Sequence, residues 1–268
     1  MDVPPIEAGM QVLAAVSLTL PRVMAIFAMI PLLSRQTLPG LLRTGVCASV
    51  GALVFPSVYD QMQAAQIGTM MGVAFCAKEV VLGTAIGFVV AIPLWAFDAM
   101  GSFADNQRGA SISQTINPMT GHDSSPLGEL FSQAAITYLA ASGGLLLLLG
   151  AIYRSYELWP VFQFLPPLDA HAPRILLGQL DRLTLLAVLL GAPVLISMLL
   201  SELGLALVSR FAPQLQVFFL AMPIKSGIAM FVFAIYAVTI FDQGGLLILD
   251  MQGALRTVGS LFDEGARR

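Results

Sequence analysis

Hydrophobic residues along the chain are gathered into six apolar blocks, and polar or Pro-Gly sequence separates one block from the next. The blocks cover roughly residues 8–33, 44–59, 70–97, 130–153, 175–209 and 215–249. Their length and their content of Leu, Ala, Met and Phe are typical of helices rather than strands. The pattern therefore predicts an all-α fold.

The charge-free runs within these blocks are short for membrane spans. A helix needs about 20 apolar residues to cross a hydrocarbon core of about 30 Å. The runs 44–59, 80–97 and 226–241 contain about 16 to 18 residues, and Arg22 divides the first block into still shorter runs. By this criterion, the run of about 20 residues from 134 to 153 has a conventional length.

Prolines lie inside most blocks. A proline removes one helix hydrogen bond and favours a kink or a break in the helix. At membrane depth, broken helices persist where protein or a water-filled cavity covers the freed backbone. We therefore predict kinked and broken helical hairpins that are covered mainly by other protein. The prolines concerned are Pro21, Pro31, Pro56, Pro93, Pro193 and Pro223.

The composition supports a membrane location. The chain has 268 residues, of which 57% are hydrophobic and 11% are charged, whereas soluble domains have about 25% charged residues. The composition therefore indicates an integral membrane protein or a subunit buried in a hydrophobic assembly. The net charge is −3 and basic residues are not clustered, which argues against nucleic acid as a partner.

The N-terminal residues and the cysteines add two expectations. The first basic residue is Arg22, within apolar sequence, so the pattern does not match the basic start of a signal peptide. Cys47 and Cys76 both lie in apolar stretches, so we expect no disulfide framework.

Charged residues that interrupt or border the apolar blocks are candidate functional residues. Each costs a few kcal/mol if it faces lipid. We therefore expect them to pair with opposite charges on another helix or another subunit, or else to snorkel to the membrane interface. These candidates are Arg22, Arg43, Lys78, Glu79, Asp181, Arg182, Arg210 and Lys225.

The sequence contains none of the common phosphate-binding, nucleophile-elbow or zinc-protease motifs. His122 and His171 lie in separate polar loops without metal-ligand spacing. We therefore predict no catalytic activity, no cofactor and no metal ion. An intramembrane enzyme is a further alternative, for which His122, Asp123 and Glu129 would be the residues to substitute.

A polar segment between the third and fourth blocks, residues 98–128, is unusually long for a helix connection. Long loops are usually functional or disordered. Ile112, Ile116 and Met119 give this one side chains that can pack. Two interpretations stay open at this point: a solvent-exposed loop, or a segment that folds back between helices as a constriction.

Four stretches in register carry a family resemblance. They are Pro21-Arg22 through Arg43, Gly101 through Asp105-Asn-Gln-Arg-Gly109, Gly204 through Gln214, and Pro223-Ile-Lys-Ser-Gly227. With these stretches the chain resembles the T-subunit family of the type III secretion export apparatus (SctT), the counterpart of flagellar FliR. The resemblance covers roughly residues 10–250. The second and fourth stretches are similar to the injectisome branch rather than the flagellar branch.

The resemblance implies a subunit of a helical, ring-like export gate at the bacterial inner membrane. Its partners would be the R and S subunits, the U subunit (the switch protein), the lipid bilayer and unfolded protein substrates in transit. Residues 1–250 would form one helical unit with an R-like half (about 1–125) and an S-like half (about 126–250). Residues 251–268 would form a short amphipathic tail.

The resemblance also maps the family's plug onto about residues 108–124. The implied plug residues are Arg108, Gly109, Ser111, Ile112, Gln114, Ile116, Asn117 and Met119. Asp105, Asn106 and Gln107 are the expected anchor of the loop. Arg108 is expected to hold the base of the loop through a carboxylate or backbone carbonyls, because guanidinium makes planar contacts with several donors. The alternative is a free loop arginine.

Two other functions stay open. One is a flagellar export-gate subunit of the same family. The other is a small-molecule secondary transporter, since transporters also contain broken helices with charges at membrane depth. No inverted repeat is apparent, and the short charge-free runs count against a self-sufficient transporter bundle.

Overall fold

The computed structural model describes residues 5–33, 40–65, 69–109, 125–164, 169–211 and 217–262. All regular elements in these ranges are helical, which confirms the all-α prediction. A short 3-10 helix, Pro31–Leu33, follows the first helix. The α helices are α1 (Pro5–Met29), α2 (Gly40–Ala52), α3 (Phe55–Ala65), α4 (Thr69–Arg108), α5 (Pro126–Ala141), α6 (Gly144–Leu158), α7 (Ala172–Phe211), α8 (Val217–Leu249) and α9 (Met251–Gly259).

Helices α4 and α7 are much longer than the apolar runs suggested, with 40 residues each. At a rise of 1.5 Å per residue, each extends about 60 Å, roughly twice the thickness of a bilayer core. The helices continue through four of the prolines, at positions 21, 93, 193 and 223. One lost hydrogen bond is a small fraction of the bonds and contacts that hold helices of this length.

The other two predicted prolines lie at helix ends: Pro31 begins the 3-10 helix that follows α1, and Pro56 is the second residue of α3. Two pairs of successive helices in the described residues are sharply bent. Helices α2 and α3 meet at 65°, and α5 and α6 meet at 78°. The second break divides the run 134–153, which by length alone was the most conventional span. Gly143 at this break has φ of 80°, a left-handed conformation that glycine adopts at no steric cost. A left-handed glycine, and no proline, therefore lies at this break.

Among the described residues, four helices are long and apolar enough to cross a membrane, or six segments if each bent pair forms one span. The four segments are Val12–Met29, Met70–Arg108, Ala172–Phe211 and Leu220–Leu249. The chain is therefore a multi-pass helical membrane protein.

The chain divides into two compact units. The first contains Met1–Ala91, Gly143–Gln179 and Asp250–Arg268, and the second contains Ile92–Ser142 and Leu180–Leu249. In the first unit α1 packs on α2 and α3, and α9 packs on α6; in the second, α5 packs on α8. The division into halves 1–125 and 126–250 stays a prediction.

Helices α1 and α4 approach each other closely in the first unit. A Cβ atom at Gly83 would lie 2.5 Å from the Arg22 carbonyl oxygen, and one at Gly87 would lie 2.9 Å from Ile26 Cα. The two glycines therefore form a small-xxx-small contact surface. This contact places the side chain of Arg22 beside the preceding turn of α4, where Glu79 lies.

Candidate functional site

The first unit contains a buried ion cluster formed by Arg22, Lys78 and Glu79. Arg22 Nε donates to Glu79 Oε2 at 2.6 Å, and Arg22 Nη2 donates to Oε1 at 2.9 Å. Both side chains are fully buried, with 0% exposed. Two parallel hydrogen bonds between guanidinium and carboxylate give a strong, directional pair. Sequence had singled out all three charges, and tertiary structure brings them together.

Arg22 also binds the C-terminal end of α6. Its Nη1 donates to Ser155 Oγ at 3.2 Å, and its Nη2 donates to the Trp159 carbonyl at 2.7 Å. The guanidinium carbon lies 4.0 Å from the centre of the Tyr156 ring. A cation at this position is favourable because the last carbonyls of a helix lack intrahelical partners. The arginine thus links α1, α4 and α6.

Lys78 holds the turn that follows α6. Its Nζ lies 2.7 Å from Glu79 Oε1. The same ammonium donates to the carbonyls of Pro160, Val161 and Gln163 at 2.8, 2.8 and 3.1 Å. The carbonyls balance the positive charge that a single carboxylate leaves uncompensated. Sequence reasoning missed this partner segment, because a backbone carbonyl can belong to any residue type.

The second unit contains the base of the predicted plug loop, formed by Asp105, Arg108 and Ser125. Asp105 Oδ1 accepts from Arg108 Nε at 2.7 Å and lies 2.6 Å from Arg108 Nη2. Asp105 Oδ2 accepts from Ser125 Oγ at 2.6 Å and from the Leu127 amide at 2.9 Å. Asp105 is 3% exposed. One buried carboxylate therefore contacts the end of α4 and the start of α5.

The start of α5 is fully hydrogen-bonded through this arrangement. Pro126 has no amide hydrogen, and the Leu127 amide donates to Asp105. The Gly128 amide donates to Ser125 Oγ, and the Glu129 amide donates to the Ser125 carbonyl, each at 2.9 Å. The first amides of a helix need such partners. Asp105 supplies the one acceptor that the local sequence lacks.

Gln107 and Lys225 connect the end of α4 to α7 and α8. Gln107 Nε2 donates to the Leu195 carbonyl at 3.1 Å. Lys225 Nζ donates to the Gln107 carbonyl at 3.1 Å and to Glu202 Oε2 at 2.9 Å. A cation at this carbonyl interacts favourably with the C-terminal end of α4. The remaining anchor candidate, Asn106, is exposed, and its carbonyl accepts from the Gly109 amide at 3.2 Å.

Among the described residues, four other predicted site residues make no contact with these clusters that involves an ion pair. Arg43 and Arg182 are half-buried, while Asp181 and Arg210 are exposed. Within the described ranges, none of the four makes an ion pair. Six of the plug candidates lie outside the described residues: Ser111, Ile112, Gln114, Ile116, Asn117 and Met119.

The alternative enzyme residues show no catalytic arrangement in the part of the chain that the structure describes. Glu129 is exposed and accepts from Gln133 Nε2 at 2.8 Å. His122 and Asp123 lie outside the described residues. Among the described side chains, no group of three His, Cys, Asp or Glu residues is placed to hold a metal ion.

Comparison with known proteins identifies the family. The sequence model of the family described as bacterial export proteins, family 1, matches residues 13–250. The chain is 42% identical to Yop proteins translocation protein T of Yersinia pestis over 87% of this chain and 91% of that protein. It is 36% identical to the surface presentation of antigens protein SpaR of Shigella flexneri over 75% of this chain and 72% of that protein.

A flagellar relative matches over a similar length. The chain is 29% identical to the flagellar biosynthetic protein FliR of Bacillus subtilis, over 89% of this chain and 93% of that protein. The chain belongs to the family of bacterial export proteins that contains the type III secretion T subunits and flagellar FliR.

Proposed function

We propose that the chain is a structural, channel-forming subunit of a type III secretion export gate in the bacterial inner membrane. The relatives that support this are named for protein translocation and for a secretion apparatus. In this role the chain assembles with the R, S and U subunits and lines the path of unfolded substrates. It performs no chemistry of its own.

The observation that carries this proposal is the uncovered apolar surface of α7 and α8. In the most apolar segments of α7 and α8, 28% and 17% of the residues are buried by the chain itself, against 67% in the most apolar segment of α4. Leu199, Leu203 and Leu207 lie on one face of α7 and are exposed. Such a surface needs an apolar cover from lipid or from another protein.

Charged residues on α7 favour protein as a large part of this cover. Asp181 and Arg210 are exposed on the same helix as Leu203 and Leu207, and neither makes an ion pair within the described residues. Charged side chains that face lipid cost a few kcal/mol each. Neighbouring subunits can cover the leucines and also supply opposite charges, whereas hydrocarbon can do only the first. We assign this role to the R and S subunits.

We further propose that residues 108–124 seal the resting channel. A pore wide enough for an unfolded polypeptide would dissipate the proton gradient unless it were closed between substrates. The hydrogen-bonded base at Asp105 and Ser125 supports the proposal, because a seal needs a fixed attachment. Deletion of residues 110–120 should raise ion leak in cells that assemble the gate. Background leak with intact assembly would contradict the seal.

Co-expression with partner subunits tests the assembly role. We expect the chain to be recovered in mild detergent as part of a stable complex with R, S and U subunits, and to be unstable when expressed alone. A monodisperse, stable chain without these partners would instead support the transporter alternative.

The higher identity to Yersinia translocation protein T than to Bacillus FliR, 42% against 29%, favours the injectisome branch over the flagellar one. Expression in strains that lack one or the other relative tests this choice. We expect restored protein translocation in the first strain and no restored motility in the second. The opposite pattern would assign the chain to the flagellar branch.

A further inference from the structure

The carboxylate of Asp105 is shared by the chain segments on both sides of residues 110–124. One oxygen binds Arg108, at the end of α4, and the other binds Ser125 and the Leu127 amide, at the start of α5. The bonds to Ser125 and Leu127 connect residues that are 20 and 22 positions apart in the chain. The two described segments that flank the proposed seal therefore meet at a single side chain.

Only an ionised carboxylate satisfies all of these donors together. An Asp side chain offers two acceptor oxygens and accepts several hydrogen bonds, whereas Asn offers one acceptor oxygen and an amide group that donates. Asn at this position would place a donor against Arg108 or against the Ser125 hydroxyl and the Leu127 amide. One end of the arrangement would then lose its partner.

The surrounding backbone keeps Asp105 in place. A Cβ atom at Gly101 would lie 2.5 Å from the Gly128 nitrogen, so α4 and α5 touch there without intervening side chains. One turn further along α4, this contact brings Asp105 within hydrogen-bonding distance of the α5 N-terminus. Gln107 and Lys225 fix the same end of α4 against α7 and α8.

We infer that Asp105 is the positioning residue of the proposed seal: its buried carboxylate joins the end of α4 to the start of α5, the two elements that flank residues 110–124, and Arg108 acts by orienting that carboxylate. The inference rests on the proposed function of residues 108–124. It adds to that proposal the side chain that fixes the segment's attachment and the hydrogen bonds through which it does so.

An Asp105→Asn variant tests the inference in cells that carry the complete gate. Loss of a charged hydrogen bond shifts an equilibrium by about tenfold. We therefore expect about a tenfold increase in ion leak at an unchanged amount of assembled gate. Asp60→Asn is the control, since Asp60 is an exposed carboxylate on α3 and makes no ion pair within the described residues. Parental leak in Asp105→Asn with intact assembly overturns the inference.

A pair of substitutions at Ser125 keeps the test decisive if Asp105→Asn fails to assemble. Ser125→Ala removes the hydroxyl that binds Asp105 and caps α5, whereas Ser125→Thr retains it. We expect increased leak in the alanine variant and a parental seal in the threonine variant. Equal leak in both variants overturns the inference.

Two further measurements separate this inference from the proposed function. If deletion of residues 110–120 causes leak while Asp105→Asn does not, the seal stands and the role of Asp105 fails. If the deletion causes no leak, the seal itself fails. Hydrogen exchange at the Leu127 amide in the purified complex then decides whether Asp105 holds the two ends. We expect exchange about tenfold faster in Asp105→Asn, and unchanged exchange overturns the positioning role.

Discussion

Gly83 of α4 lies directly against the backbone carbonyl of Arg22 in α1, and a Cβ atom there would be 2.5 Å from that oxygen. A methyl group at this position must push the two helices apart. We therefore expect Gly83→Ala to destabilise the chain by roughly 1–3 kcal/mol, the usual range for overpacking. The measurement is the thermal unfolding midpoint of the chain in its purified complex.

Gly72→Ala is the control for that substitution. Gly72 lies in the same helix, and no atom lies within 4 Å of a Cβ built there. Alanine is the better helix former by about 1 kcal/mol, so this variant should be as stable as the parent or more stable. Equal unfolding midpoints for the two variants would show that Gly83 is not a contact point.

The buried ion cluster should make Glu79 one of the most sensitive positions in the chain. Glu79→Gln leaves Arg22 and Lys78 buried without their carboxylate. Removal of one partner from a buried ion pair costs about 3–5 kcal/mol. We expect a low steady-state amount of the variant in membranes, measured by quantitative immunoblotting. Glu129→Gln, at an exposed carboxylate, should be present at the parental level. Equal amounts of both variants would contradict the prediction.

Lys225 and Glu202 should respond unequally although they form one pair. Lys225 is buried and also binds the Gln107 carbonyl, whereas the Glu202 side chain is 52% exposed. Glu202→Gln should cost at most about 1 kcal/mol, as for exposed ion pairs. Lys225→Met should cost more, since it also removes the cation from the end of α4. Unfolding midpoints of the two purified variants compare these costs. Equal losses would assign the whole effect to the ion pair.

Substitutions at Gly143 test whether backbone conformation causes the sharp bend between α5 and α6. Its φ is 80°, and no atom lies within 4 Å of a Cβ built there. Gly143→Ala therefore introduces backbone strain without a steric clash, and we expect a loss of about 1–2 kcal/mol. Asn tolerates this conformation better, so Gly143→Asn should lose less. Gly150→Ala, in open space within α6, should not destabilise. The measurement is again the thermal unfolding midpoint, and the reverse order of Ala and Asn would exclude backbone conformation as the cause.

The local sequence predicted helices well and their ends poorly. The apolar blocks identified the all-α fold and most of the helical sequence, because helix formation follows from local hydrophobic patterning. Prolines were an uneven guide to helix ends, since Pro31 and Pro56 lie at ends but the other four predicted prolines lie inside helices. The helices run through Pro93 and Pro193, whereas Gly143 marks a 78° bend. A proline removes one bond from a long helix, but a left-handed residue redirects the backbone.

The site was predicted in part. Charges within apolar sequence singled out Arg22, Lys78 and Glu79, because unpaired charge at such positions is costly wherever the chain folds. Sequence did not reveal their partners at Ser155, Trp159 and the following carbonyls. It also gave no sign that Asp105 caps a helix that begins about 20 residues later.

The sequence by itself determined that the chain is helical, that it belongs in a membrane, and which charges require partners. Each of these follows from residue type and spacing, since hydrophobicity, helix periodicity and the cost of unpaired charge are local properties. Tertiary structure decided which partners those charges have. A hydrogen bond needs two atoms about 3 Å apart, and the close contacts at Gly83 and Gly101 bring segments that are distant in sequence to that separation.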